Sequence, residues 1–228
     1  MTENRIDCTL QALKQQGKKA LIPFVTAGHG GYDRTEQLVL QMEKAGADII
    51  ELGVPFSDPI AEGPVIQHAS EQALKQGTTL AGIFELVKRL RKKTDMPLLL
   101  MMYLNTIFSH GTEKFFRTCQ EIGIDGVIVP DMPFEEKDEI QGSADKYHIH
   151  NISLVTPASE GRIQMIAEDA TGFLYCVSSN GVTGMRTKFQ TDFSAFFAPI
   201  HKYAKIPWPG YRKSIDWKGL LCCVSTGL

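Results

Sequence analysis

The sequence predicts an α/β fold in which parallel strands alternate with helices. Three observations point to it: six short apolar runs, apolar residues at helical spacing between them, and helix start and stop signals at the ends of those intervals. The runs are nearly continuous in apolar character, as in strands covered on both faces, and lack the in-and-out alternation of half-exposed antiparallel strands.

In order, the strands are "ALIPFVT" (20–26), "ADIIELG" (47–53), "PLLLMMY" (97–103), "GVIVPD" (126–131), "HNISLVT" (150–156) and "GFLYCVS" (172–178). Between the first two, Asp33 with Glu36 has the spacing of a capping box, Leu38, Met42 and Ala45 share a helical face, and Gly46 stands where a C′ residue belongs. Thr79 opens another helix carrying Leu80, Ile83, Val87 and Leu90, and "KRLRKK" (88–93) fits its solvated end. Thr112, Phe115, Cys119, Ile122 and Gly123 repeat the design, and Phe193, Phe197, Ile200 and Ala204 supply the last clear helix. With a helix after each strand, right-handed crossovers make the strands parallel, in an open doubly wound sheet or a (β/α)8 barrel. The barrel is favoured because the glycines of "AGHGGYD" do not have the G-x-G-x-x-G spacing of a dinucleotide-binding turn.

A chain of 228 residues, 43% hydrophobic, supports one large core and is short for two domains. The net charge of −2 and the absence of a long basic run argue against a nucleic-acid partner. No stretch approaches the ~20 apolar residues of a membrane span, and "MTENRIDC" lacks the features of a signal peptide, so a cytoplasmic protein without a membrane partner is expected. Cys8, Cys119, Cys176, Cys222 and Cys223 lack C-x-x-C spacing and read as reduced packing residues. His148 and His150 share one strand face but have no third ligand, so no metal site is expected, and no G-x-S-x-G or Walker loop is present.

The acidic residues of "ELGVPFSDPIAEGP" (51–64) stand where a buried strand gives way to a proline-stiffened loop. In a barrel, reactive groups gather at the carboxyl ends of strands, and Glu51 lies at that end of the second. Side chains alternate, so Ile49 and Glu51 share one face and Ile50 and Leu52 the other: either the acid points inward or two large aliphatics do. Burial would raise the pKa of the acid and fit it both to give and to take protons. The alternative is a strand-end acid paired with a lysine.

"IPFVTAG", "ELGVPFSDPIAEGPVIQ", "MMYLNTIFSHG", "VPDMPFEE" and "SSNGVTG" follow one another in the order and spacing of the tryptophan synthase alpha chain family, and the chain resembles that family from about Asp7 to Pro207. The resemblance implies a TIM (β/α)8 barrel that cleaves indole-3-glycerol phosphate to indole and glyceraldehyde 3-phosphate by a retro-aldol reaction. It implies no metal or organic cofactor on this chain. Glu51 matches the family's catalytic glutamate. Glu62 stands where the family has an aspartate near the indole N–H, one methylene longer. Tyr175 matches a tyrosine lining the site, with a barrel-filling aromatic as the alternative, and Phe24 and Met101 match the apolar slot for indole. Gly181 and Gly184 match phosphate-binding backbone, and Thr183 a residue that positions the mobile loop. Pro55 and Asp58 match the face that meets the beta chain, the pyridoxal phosphate carrier of an α2β2 heterotetramer.

After "YAKIP" the resemblance stops. Where the family continues with two more βα units and their phosphate loops, this chain has "WPGYRKSIDWKGLLCCVSTGL" (208–228), which holds both tryptophans and two of the five cysteines. The shift is what a reading-frame change or a truncated gene would produce. The expected organisation is a barrel domain over 1–207, with its last two units missing or replaced, and an atypical tail over 208–228. Six strands would leave two unpaired edges. A substitute strand in "GLLCCVSTG", placing Ser225 and Gly227 near the phosphate, is disfavoured because too few residues precede it for a crossover helix. The active lyase therefore stands beside two alternatives: a weak or inactive subunit that docks on and activates the beta chain, or another phosphate-handling barrel such as an isomerase of the same pathway.

Overall fold

A computed structural model of the chain describes residues 3–177, 193–207 and 222–224. It opens with α1 (Arg5–Gln15), capped by the Asn4 side chain, which accepts the Ile6 N–H. The first predicted run becomes two strands, β1 (Ala20–Ile22) and β2 (Phe24–Thr26), because Pro23 has no N–H to give the ladder. There follow α2 (Tyr32–Lys44), β3 (Ile50–Gly53), α3 (Pro64–Lys75), α4 (Leu80–Arg91), β4 (Leu98–Met101), α5 (Leu104–His110), α6 (Thr112–Ile122), β5 (Gly126–Ile128) and α7 (Asp138–Lys146). The fifth run is also split, into β6 (His150–Asn151) and β7 (Leu154–Val155), and is succeeded by α8 (Ile163–Asp169), β8 (Tyr175–Cys176), α9 (Phe193–Tyr203) and β9 (Cys222–Val224).

Strands β2 to β6 form a parallel sheet in sequence order, and β7 pairs in parallel with β8. One buried cluster collects Ile22, Ile49, Leu99, Ile128, Ile152 and Phe173, one residue from each of the six strand positions. Side chains from six successive strands can converge on one another only if the sheet curls, so this cluster is a barrel interior. Its amino end is filled by Ile6, Leu10 and Leu13 of α1. On the outer face, Ile50, Leu52, Leu98 and Leu100 pack against Val39, Ile83 and Phe115 from the helices.

A polar knot at the same end ties α1 to the wall. Asp125, 3% exposed, pairs with Arg5 at 2.9 Å and Arg91 at 2.8 Å, and accepts the Leu98 N–H at 2.9 Å. Arg91 also donates to the carbonyls of Gly123, Thr94 and Met96, so this end of "KRLRKK" turns inward and only part of it is a solvated face.

Other expectations need correction. Asp33 and Glu36 form no capping box: α2 starts from Gly31, whose φ of 95° only glycine takes easily, and both acids instead pair with Arg89 of α4. Thr79 does cap α4 through the Gly82 N–H, and Gly46 adopts the expected left-handed conformation. His148 and His150 do not share a strand, since His148 sits in a left-handed turn and His150 pairs with Asp7. Cys8 is exposed, whereas Cys119 is buried as a packing residue. The tail does supply a strand: β9 runs antiparallel to β1, with Ala20 opposite Val224 and Ile22 opposite Cys222. A crossover helix is needed only for a parallel neighbour, which is why the length limit did not apply. Val224 thus registers with the amino end of the first strand, while Ser225 and Gly227 lie outside the described residues.

Candidate active site

Glu51 is 1% exposed and lies between Phe24 of β2 and Leu99 of β4 in the sheet register. Its neighbour by alternation, Ile49, belongs to the interior cluster, whereas Ile50 and Leu52 belong to the outer one. The acid therefore points into the barrel. Its Oε1 is buried without a hydrogen-bond partner among the described residues. Burial, reinforced by the charge of Glu62, raises its pKa from 4.5 to about 8. At neutral pH the side chain is mostly protonated, yet within reach of ionisation.

Glu62 is itself buried at 8% exposure, held by a backbone bond to Pro59 and by Gln67, whose amide donates to its carbonyl. It lines a small pocket with Phe24, Met101, Gly53, Phe56 and Tyr103. The free space amounts to about 10 Å³, room for one water. Phe24 covers Gly53 so closely that a Cβ there would stand 2.3 Å from the ring. This glycine is what lets the ring lie across the site, a contact that strand periodicity does not reveal.

Of the other anticipated residues, Tyr175 and Met101 pack on the interior cluster from β8 and β4. Tyr175 is half-buried and its N–H bonds Ser153. Pro55 is buried and shapes the loop from within; Asp58 is exposed, accepting from Ser57 at 2.6 Å. Beside Asp58 an open groove of about 680 Å³ runs between the loop and α3, bordered by Ile60, which is 74% exposed. Gly181, Thr183 and Gly184 lie outside the described residues. Among the described residues no group of three His, Cys, Asp or Glu side chains could hold a metal, and no helix is long and apolar enough to cross a membrane.

Tyr103 was not singled out in the sequence. Only 5% exposed, it accepts the Ala61 N–H at 2.9 Å and stacks on Phe56 with ring centroids 4.9 Å apart. The "MMY" at the end of the third strand run is the signal that could have flagged it, since barrel sites use that end.

Comparison with known proteins agrees with this geometry. A family model described as tryptophan synthase alpha chain matches residues 10–210. The tryptophan synthase alpha chain of Alkaliphilus metalliredigens is 52% identical over 204 residues, covering 90% of this chain and 77% of that one. That of Clostridium kluyveri is 47% identical over 204 residues, covering 90% and 78%. Among solved structures, tryptophan synthase alpha chain from Legionella pneumophila superposes with a TM-score of 0.79 at 36% identity, covering 90% of this chain and 76% of the other. The α2β2 tryptophan synthase complex of Pyrococcus furiosus contains a chain matching with a TM-score of 0.72 at 32% identity, covering 82% and 74%. With the inward glutamate, the acidic loop and the six-strand interior in place, this chain belongs to the tryptophan synthase alpha chain family.

Proposed function

We propose that this chain is a carbon–carbon lyase of tryptophan biosynthesis, cleaving indole-3-glycerol phosphate to indole and glyceraldehyde 3-phosphate, with Glu51 as its acid and base. The protonated carboxyl gives its proton to the ring carbon that bears the side chain. The resulting carboxylate takes the proton from the neighbouring side-chain hydroxyl as the carbon–carbon bond breaks and an aldehyde forms. The acid ends as it began, so no cofactor is consumed and none is required on this chain. The Glu62 carboxylate, placed toward the ring N–H, balances the positive charge that the protonated ring carries. Phe24 and Met101 flank the ring, Tyr175 hydrogen-bonds a carboxylate, and Gly181, Thr183 and Gly184 serve the phosphate and the loop.

The observation that carries this reading is a carboxyl group on barrel strand β3 pointing inward, 1% exposed, with one unpartnered oxygen, so that burial pushes its pKa up to about 8. A structural acid in that position would be paired. Indole release by the full chain tests it: Glu51→Gln should lower the rate by ~10²-fold or more, as loss of a general acid–base does. An unchanged rate would remove Glu51 from the mechanism.

The partner is the tryptophan synthase beta chain, carrier of pyridoxal phosphate, in an α2β2 assembly. Asp58 and the groove beside Ile60 are the docking face we assign to it, with Pro55 buried beneath and shaping the loop rather than meeting the partner. That exposed groove also favours a second reading, a subunit that activates the beta chain even where its own cleavage is weak. Beta-chain stimulation that survives Glu51→Gln identifies it. A barrel domain over 1–207 followed by a distinct tail, and a cytoplasmic location, complete the proposal; the free thiols of Cys8, Cys119 and Cys176 support the second.

A further inference from the structure

We infer that Tyr103 is a positioning residue that acts through Glu62, pinning both ends of the 54–63 loop so that Glu62 is held in the pocket it lines with Phe24 and Met101. This deepens the reading above and rests on it. The loop is fixed at two points by this one side chain. Near its start, Phe56 stacks on the Tyr103 ring at an interplanar angle of 21°. Near its end, the Ala61 N–H donates to the Tyr103 hydroxyl at 2.9 Å, immediately before Glu62 in the chain.

The anchor is itself immobilised. Tyr103 is the N-cap residue of α5, and the next N–H, that of Leu104, donates to the Asp131 carboxylate at 3.0 Å. The ends of the third and fourth strand runs are thereby coupled to the loop that follows the second. Such coupling matters because a carboxylate that stabilises charge developing on the ring must already be in place when the proton arrives, and ~1 Å of misplacement can cost on the order of 10²-fold.

Tyr103→Phe keeps the ring and its stack while removing the acceptor for Ala61. In the full-length chain, amide exchange at Ala61 should accelerate about five- to tenfold, the loss of one net hydrogen bond. Exchange at Val127, in the wall, should not change. The kcat for indole release should fall about tenfold with little change in KM, because Glu62 acts on charge that appears after binding. A lower active fraction would also reduce kcat, so the deciding measurement is the double variant. Added to Glu62→Gln, Tyr103→Phe should cause no further loss. Unaltered Ala61 exchange, or losses that multiply in the double variant, would overturn the inference. Glu51→Gln run in parallel separates the two levels: full activity in that variant defeats the proposed mechanism, whereas Ala61 exchange still decides whether Tyr103 anchors the loop.

Discussion

The wall formed by β2 to β6 with its helices and the elements β7, α8, β8 and α9 are built on the same βα plan but held by different means. The first is a continuous five-stranded sheet, backed by one large outer cluster and knotted at its amino end by Asp125, Arg5 and Arg91. The second has a two-residue pair, β7 with β8, covered by its own small cluster of Val155, Ile163, Leu174, Phe196 and Ile200. Its link to the preceding helices includes a surface ion pair, Lys137 with Asp169. Of the residues proposed for acid–base chemistry, Glu51 and Glu62 sit in the first region and Tyr175 in the second. The contrast suggests why an acid can be kept buried and unpaired at position 51: its surroundings, cross-braced on both faces, resist the relaxation that would let water reach it.

Four outcomes would break or sharpen that contrast. The largest effect belongs to the knot. Asp125→Ala strands Arg91, whose side chain is 11% exposed, and should lower the stability of the whole chain in urea by about 3–5 kcal/mol. A loss below about 1 kcal/mol would show that the two regions are not differently braced.

Next comes the burden of Glu51 itself. Below pH 4.5 its carboxyl is protonated in both states and costs nothing as an ion. As pH rises from 4.5 to about 8, the unfolded chain releases the proton while the folded chain keeps it, so stability falls across this window and levels off above it. Glu51→Gln should abolish this slope, gaining on the order of 4 kcal/mol relative to the parent between the two ends. Parallel stability curves for the two proteins would refute the raised pKa.

Phe196→Ala, in the smaller cluster, should cost about 3 kcal/mol. It should do so locally, with amide exchange faster at Tyr175 and unchanged at Val127. Equal acceleration at both sites would make the two regions one cooperative unit. Smallest of all, Asp169→Asn should change the urea midpoint by less than the equivalent of about 1 kcal/mol, as expected for an exposed ion pair.

Strand alternation reduced Glu51 to two choices, inward acid or surface-paired acid, and the resemblance carried by "ELGVPFSDPIAEGPVIQ" chose between them. Continuous apolar runs showed that the strands need cover on both faces, which fits an open doubly wound sheet as well as a barrel; the glycine spacing of "AGHGGYD" and the family resemblance decided for the barrel. Tyr103 was not legible, because its partner is a backbone N–H 42 residues away, and backbone partners leave no trace in a pattern of side chains. The false capping box at Asp33 and Glu36 has the same origin. Both acids satisfy the spacing, but Arg89, more than fifty residues on, claims them. The reversed strand β9 was missed because counting the linker presumed that a new neighbour must run parallel.

Helix α1 gives the barrel a closed floor. Ile6, Leu10 and Leu13 press into the interior from below. A proton resting on Glu51 is therefore insulated from the solvent beneath it, and the route by which it exchanges with bulk water does not pass through the floor.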